Sequence, residues 1–413
     1  MRVLVLAPQP FYQERGTPIA VKLAVETLSK KLREVSDHEK PIDLLVYNEG
    51  QDIQIPGVRI VRIRTPRWLR GVRPGISCKK LACDILLFFQ TMLLLWRARS
   101  NQYDVIHAVE ESVFIAWVAK KLCGIPYIYD MDSSLALQLT EKWWWCKPAL
   151  ALLQYLEGVA VRGSVSVAPV CDALQAIALQ HGSVSTVMLR DVSLLPLTTE
   201  TPVNREDLFG TPLGADDRVI LYVGNLESYQ GIDLLLESFA EAHPRVPTAW
   251  LMIAGGTQTT IEKYRVKASK LNCDSRVLFL GPRPLHELSN LLRSADILVS
   301  PRIQGNNTPM KVYSYLHSGT ALLATDLPTH QQVLNDSVAL LAPANSVSFG
   351  EAMVQLLRDS DLRKRLGAAA RRTAQELYTV EAFEVQIARL YEDVARTIGR
   401  PLSSLERQHV LNQ

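Results

Sequence analysis

A chain of 413 residues is too long for one ordinary domain and comfortable for two, each able to bury its own core. Hydrophobic residues make up 47% and charged residues 21%, which excludes a disordered or fibrous chain, and a net charge of only +3 carries no global signal for nucleic acid. Cys78, Cys83, Cys123, Cys146, Cys171 and Cys273 form no CxxC pair and have no histidines at zinc spacing, so free thiols in a reducing cytoplasm are expected.

The opening MRVLVLAPQP reads as a buried strand and a Pro-rich turn, without the longer apolar core of a signal peptide. In PFYQERGTPIAVKLAVETL, Thr17 caps and Pro18 opens a helix, a position where proline sacrifices no needed donor. IDLLVY from Ile42 is the next strand. From Ile53 to Cys83 there is no acidic residue, while Arg59, Arg62, Arg64, Arg67, Arg70, Arg73, Lys79 and Lys80 gather around Trp68 and Leu69. This basic stretch leads into an apolar helix around Ile85 to Trp96, broken by Gln90 and Thr91 and short of the ~20 residues that span a bilayer. It reads as a membrane-surface patch or as a solvated loop before a buried core helix. DVIHA from Asp104, PYIYD from Pro126 and SVSVAP from Ser164 continue the strand series. Trp143, Trp144 and Trp145 before the last of these suit an interfacial, packed or acceptor-binding element. Asp130-Met131-Asp132 spells an Asp-x-Asp triplet, which also occurs in metal-dependent single-sheet transferases, but the tandem pattern below does not suit that fold.

Between Ser193 and Asp217 the periodicity lapses into a Pro-, Thr- and acid-rich stretch, read as a linker. A second strand and helix series follows: RVILYVG from Arg218, AWLMIAG from Ala249, RVLFLG from Arg276, ADILVSP from Ala295, TALLATD from Thr320 and VALLAP from Val338. Continuous apolar strands alternating with helices mean parallel sheets covered on both faces, hence two doubly wound α/β domains. Their ligands are expected outside the carboxyl ends of the strands, in a cleft where the domains face each other. The predicted division is 1–192, a linker 193–217, 218–379, a helix 380–399 that packs back on the N-terminal domain, and a tail 400–413.

The most informative stretch is SPRIQGNNTPMKVYSYLHSGTALLATDLPTHQQVL, from Ser300 to Leu334. A strand delivers a polar loop, then Thr308 and Pro309 open a helix that closes at Gly319. A helix N-terminus offers free N–H groups to an anion, and Arg302 and Lys311 add positive charge suited to a diphosphate. For both, a solvated surface position is the bland alternative.

These residues resemble the retaining glycosyltransferases of family four, which have the GT-B fold of two Rossmann-like domains facing a central cleft. That family carries two glutamates eight positions apart, the second usually holding the nucleotide ribose. Counting back from Gly319 puts them at Asn306 and Ser314, so both glutamates are absent, and PMKVYSYLHSG looks like the variant subgroup with a Pro-x-Lys-x-Tyr helix. YVGNLESYQGIDLLLESF from Tyr222 resembles the family's glycine-rich turn, with Asn225 and Gln230, before Gly231, where a phosphate-binding Arg and Lys usually stand. Gly16 holds the place of the family glycine that lets the backbone approach the donor, beside Thr17. Asp132 falls where a histidine usually meets the transferred sugar, and Asp130 and His107 are further candidates for the sugar and acceptor side. His107 and His330 are equally readable as satisfied core histidines.

The resemblance implies transfer of a sugar from a nucleotide diphosphate sugar to an acceptor hydroxyl with retention, in polysaccharide or glycolipid synthesis. It implies Asp132 near the chemistry, no bound metal and no cofactor beyond the donor, while Arg302 and Lys311 at the helix start are read as supplying the missing phosphate-binding charge. The acceptor is read as lipid-linked or saccharide, and the protein as cytoplasmic and peripheral on the inner face of an anionic membrane. A non-catalytic GT-B-like subunit and a nucleotide-sugar epimerase are the alternatives.

Overall fold

The computed structural model describes residues 1–14, 16–35, 39–72, 77–97, 102–142, 148–195 and 204–400. Arg73, Cys146, the tryptophan run at 143–145 and most of the predicted tail lie outside these residues.

The chain divides into two compact units, one of Met1–Arg190 with Phe383–Gln413 and one of Asp191–Ala382. In the first, β1 (Val3–Pro10), β2 (Ile42–Tyr47), β3 (Val58–Arg62), β4 (Val105–Val109), β5 (Tyr127–Met131) and β6 (Ser166–Pro169) form one sheet in the order β3-β2-β1-β4-β5-β6. All its pairings are parallel. Every residue of β1, β2 and β4 is buried, as unbroken apolar strands with helices on both faces require. One face packs Leu4, Leu6, Ile106 and Ala108 against helices Cys78–Arg97, Val113–Cys123 and Leu150–Gly163. On the other, Val5, His107 and Val109 meet Val21, Val25 and Leu28 of helix Gly16–Val35 and Ile387 and Tyr391 of helix Val380–Thr397. That last helix is thus part of the first unit's packing for most of its length, with Lys30 bonded to Glu384 at 3.0 Å and Lys31 paired with Glu392 at 3.6 Å.

In the second unit, β7 (Arg218–Val223), β8 (Ala249–Ala254), β9 (Val277–Gly281), β10 (Ile297–Ser300), β11 (Ala321–Thr325) and β12 (Leu340–Ala342) form a parallel sheet in the order β12-β11-β10-β7-β8-β9. Two cores flank it. Ile220, Tyr222, Ile253 and Val299 point into one, and Leu221, Met252, Leu298 and Ala324 into the other.

Three expectations shift. Residues 196–203 of the expected linker lie outside the described residues, and its described parts are packed: Asn204 caps a short helix, Arg205–Phe209, and Leu195, Leu208 and Phe209 sink into the second unit's core. Its apolar residues outweigh its Pro- and acid-rich composition. The helix expected to open at Thr308 and Pro309 begins at Lys311, because residues 308–310 form a tight approach in which Val312 N–H donates to Pro309 O at 2.9 Å. It ends at Gly319 as expected, with φ 78°. The apolar helix after the basic stretch is neither wholly buried nor wholly solvated, since it runs Cys78–Arg97 with one face in the core and another exposed. No helix among the described residues is long and apolar enough to cross a membrane.

Candidate active site

In each sheet the strand order reverses next to the first strand, between β1 and β4 in one unit and between β7 and β10 in the other. Connections leaving the carboxyl ends of such a strand pair diverge to opposite faces, which opens a crevice there.

At the β7/β10 crevice the 224–231 segment meets the 301–311 segment. Gly231, with φ 75°, lies so close to β10 that a Cβ would stand 1.8 Å from Pro301 O. Gly224 is as restrictive for another reason: a Cβ there would sit 3.3 Å from the Lys311 amine and 2.9 Å from the Tyr222 hydroxyl. The backbone after β7 and the Lys311 side chain therefore share one small space. Lys311 Nζ donates to Gln230 Oε1 at 2.9 Å and lies 3.9 Å from the centre of the Tyr222 ring. These partners are an amide and a ring face, with no carboxylate among them. Burial, with the neighbouring Arg302 charge second, holds the Lys311 pKa well below its usual value. Thr308 is buried, and its hydroxyl has no hydrogen-bond partner among the described residues. An amine with no carboxylate partner among the described residues, at the start of a helix and three residues after an orphaned hydroxyl, is a site that gains by taking an anion, which in turn favours the protonated amine.

Arg302 is not the bidentate grip its position suggests. It is buried, and Nε donates to Gln304 O at 2.6 Å, Nη1 to Asn307 O at 3.2 Å and Nη2 to Asn307 Oδ1 at 3.2 Å. Its guanidinium also lies 5.4 Å from the Tyr229 ring centre. The charge thus shapes the loop and adds field. Ser314 likewise turns away: it is buried and accepts the Leu194 N–H at 3.0 Å, packed under the 193–195 segment. Asn306 is exposed on the loop, and its carbonyl accepts from Gln332. Asn225 is exposed and braces its own turn through Glu227 N–H and the Tyr229 hydroxyl. His330 is a core histidine: Nε2 bonds Ser300 at 2.8 Å, Nδ1 bonds Thr325, and burial pushes its pKa down to about 4.

In the first unit, Gly16 begins the helix Gly16–Val35 and is exposed, with nothing within reach of a Cβ there, and Thr17 beside it is half-buried. His107 lies within β4 rather than at its end. It is buried, stacks on Tyr391, and uses both nitrogens, Nδ1 with the Tyr391 hydroxyl at 2.8 Å and Nε2 with Asp130 Oδ2 at 3.0 Å. No ring nitrogen is left for a sugar, so His107 positions Asp130. Asp130 occupies the end of β5 and Asp132 follows it, half-buried.

Sequence reasoning missed the groups at the β1/β4 crevice itself. Gln9, at the end of β1, is buried with Nε2 unpartnered among the described residues. Glu110 leaves β4 with φ 51°, a left-handed backbone that glutamate seldom adopts, and stands 3.9 Å from Lys80, which also pairs with Glu111. The signal available was the acidic pair in DVIHAVEES directly after a strand.

The chain is similar to known glycosyltransferases in sequence and in fold. Residues 203–373 match the model of Glycosyl transferases group 1. The chain is 25% identical over 365 residues to a D-inositol 3-phosphate glycosyltransferase of Corynebacterium efficiens, covering 84% of this chain and 83% of that one. It is 30% identical over 181 residues to a phosphatidyl-myo-inositol mannosyltransferase of Mycobacterium leprae, 43% of this chain and 47% of the relative. In fold it is similar to sucrose-phosphate synthase from Thermosynechococcus elongatus, with a TM-score of 0.76 at 18% identity over 96% and 99% of the two chains. It is similar also to Anabaena HepE in complex with UDP-glucose, with a TM-score of 0.71 at 14% identity over 95% and 99%. Two parallel six-stranded sheets and these similarities make the chain a glycosyltransferase of GT-B architecture, with the match to Glycosyl transferases group 1 lying over residues 203–373.

Proposed function

We propose that the protein transfers a sugar from a nucleotide diphosphate sugar to an acceptor hydroxyl with retention at the anomeric carbon. The observation that carries the donor is Lys311, a buried amine without a carboxylate partner among the described residues, three residues after Thr308, whose hydroxyl has no partner there. A diphosphate there gains a charge-assisted bond, and its leaving charge is stabilised by a preorganised cation. Anabaena HepE, similar in fold, was solved with UDP-glucose, which supports a donor of this class. In the step itself the bond from the anomeric carbon to the phosphate oxygen breaks and that to the acceptor oxygen forms on the same face. The acceptor proton passes to the departing phosphate. Asp132 is assigned to the hydroxyls of the transferred sugar, and Asp130, fixed by His107, to the acceptor side.

The reaction is read as metal-independent and cofactor-free, as the resemblance to the retaining GT-B transferases implies. The acceptor is read as lipid-linked or saccharide, presented at the inner face of an anionic membrane. The basic stretch around Arg64, Arg67 and Arg70 and the similarity to a phosphatidyl-myo-inositol mannosyltransferase support that reading, and free cysteines suit the cytoplasmic side. Calorimetry with a panel of nucleotide sugars, followed by transfer assays in chelator, tests the core of it. Asp132→Asn should lower turnover by about ten- to a hundredfold, the loss of a hydrogen bond to a charged group, while chelator leaves the parent enzyme active. Activity lost in chelator and restored by manganese would assign Asp132 to a metal instead.

A further inference from the structure

Helix Cys78–Arg97 is apolar nearly all round, yet only part of it is covered. Cys83, Leu87, Thr91 and Leu95, spaced by four, face the core. Leu81, Ile85, Phe89, Leu93 and Trp96, spaced by four and then three, form a second stripe that lies in the open. Leu81 is 62% exposed, Phe89 61% and Trp96 79%, and Trp68 on the adjoining loop is 72% exposed. The loop is fastened alongside: the Gln90 amide bonds both backbone groups of Arg64 at 2.9 and 3.0 Å, and Lys79 Nζ donates to Arg70 O at 3.0 Å. A continuous uncovered apolar stripe of this length on a soluble fold marks a surface that something covers.

The charge around the stripe says what. Arg64, Arg67, Arg70, Lys79 and Arg97 are all exposed beside it. From Ile53 to Arg97 the one acidic residue is Asp84, and its carboxylate is turned inward onto the Tyr47 hydroxyl. A second copy of this chain would bring the same cations to the same place, so self-pairing is opposed by like charge. An anionic lipid surface answers both features, since it offers negative headgroups to the rim and acyl chains to the stripe.

We infer that helix Cys78–Arg97 lies in the plane of an anionic bilayer with Leu81, Ile85, Phe89, Leu93 and Trp96 sunk among the acyl chains. This deepens the membrane attachment proposed above by giving insertion, rather than charge alone, the holding role. The helix's first turn lies at the carboxyl edge of its sheet: Lys80 pairs with Glu111 just past β4, and Asp84 bonds Tyr47 at the end of β2. Headgroups held along the helix are therefore delivered next to the β1/β4 crevice.

The test is co-sedimentation of the full chain with phosphatidylglycerol vesicles and with phosphatidylcholine vesicles, at low salt and at about 0.5 M salt, where exposed charges are screened within a few ångströms. Wild type should bind the anionic vesicles and keep a fraction bound at high salt. Phe89→Glu with Trp96→Glu should reduce binding by about tenfold or more, the scale of losing one buried aromatic side chain. Because both side chains are exposed, melting temperature and nucleotide diphosphate binding should be unchanged. Arg64, Arg67 and Arg70→Ser should lose the salt-sensitive part of the low-salt binding and keep the salt-resistant part. If the glutamate variant binds as tightly as wild type, or wild type releases fully in salt, insertion is overturned while electrostatic attachment stands. If wild type ignores anionic vesicles, both fall. Self-association of wild type that the glutamate variant abolishes would make the stripe an interface between copies, also against the inference.

Discussion

Lys311 gives the proposed donor site its sharpest residue-level signature, because the folded chain holds this amine where protonation is unfavourable. A lysine whose folded pKa lies below its unfolded value of 10.5 destabilises the protein at every pH below the unfolded value, fully so below the folded one. Lys311→Met should therefore raise the melting temperature at neutral pH while weakening nucleotide diphosphate binding by ~1.5–3 kcal/mol, read by calorimetry. In wild type the affinity should fall as pH rises through the depressed Lys311 pKa, since the diphosphate selects the protonated amine, and that dependence should vanish in the variant. Arg302→Ala separates field from framework. It removes the hydrogen bonds to Gln304 and Asn307, so it should lower both stability and donor affinity, where Lys311→Met moves the two in opposite directions. Lys311 was legible in sequence from its place at a helix start. The loop-bracing role of Arg302 was not, because it depends on the path of residues 303–307, which no periodicity encodes.

At the scale of elements, the final helix carries the clearest consequence. Phe383, Ile387, Leu390, Tyr391 and Val394 are buried, and Tyr391 reaches His107 and through it Asp130. Tyr391→Phe leaves the His107 Nδ1 buried without its partner, which should cost about 1–3 kcal/mol in chemical denaturation. It should also lower turnover with little change in donor affinity, because the disturbed group is Asp130 and not Lys311. Equal loss in both would make the contact merely structural. The strands themselves were readable, since runs such as RVLVLA and RVILYV are apolar on both faces, the mark of parallel sheets with helices above and below. Misreadings came where composition and packing disagree. The 193–217 stretch is polar on average, yet its Leu195, Leu208 and Phe209 are buried in the second unit's core. Ser314 matches a family contact by count, yet it is covered by the 193–195 segment. His107 was ambiguous because its partner lies 284 residues away in sequence.

For the whole molecule, each unit repeats one plan, a parallel sheet whose order reverses beside its first strand, and chemistry-bearing residues gather at both reversals. Lys311, Thr308 and Gln230 stand at one, with Gln9, Glu110 and Lys80 at the other. The tandem plan was legible from the two strand series in sequence, and the Ser300 to Asp326 stretch pointed to the segment where the anion site is proposed. The occupants of the first crevice were not, because Lys80 arrives there from a distant helix. The central claim is that this chain moves a sugar from a nucleotide diphosphate donor with its anomeric configuration kept. Incubation of wild type and Lys311→Met with the nucleotide sugar that binds best, an acceptor alcohol and chelator, followed by NMR of the product's anomeric coupling, tests it directly. A glycoside with the donor's configuration from wild type, and little or none from the variant, is the predicted result. A glycoside of opposite configuration, or nucleotide sugar returned intact with every acceptor tried, would contradict it.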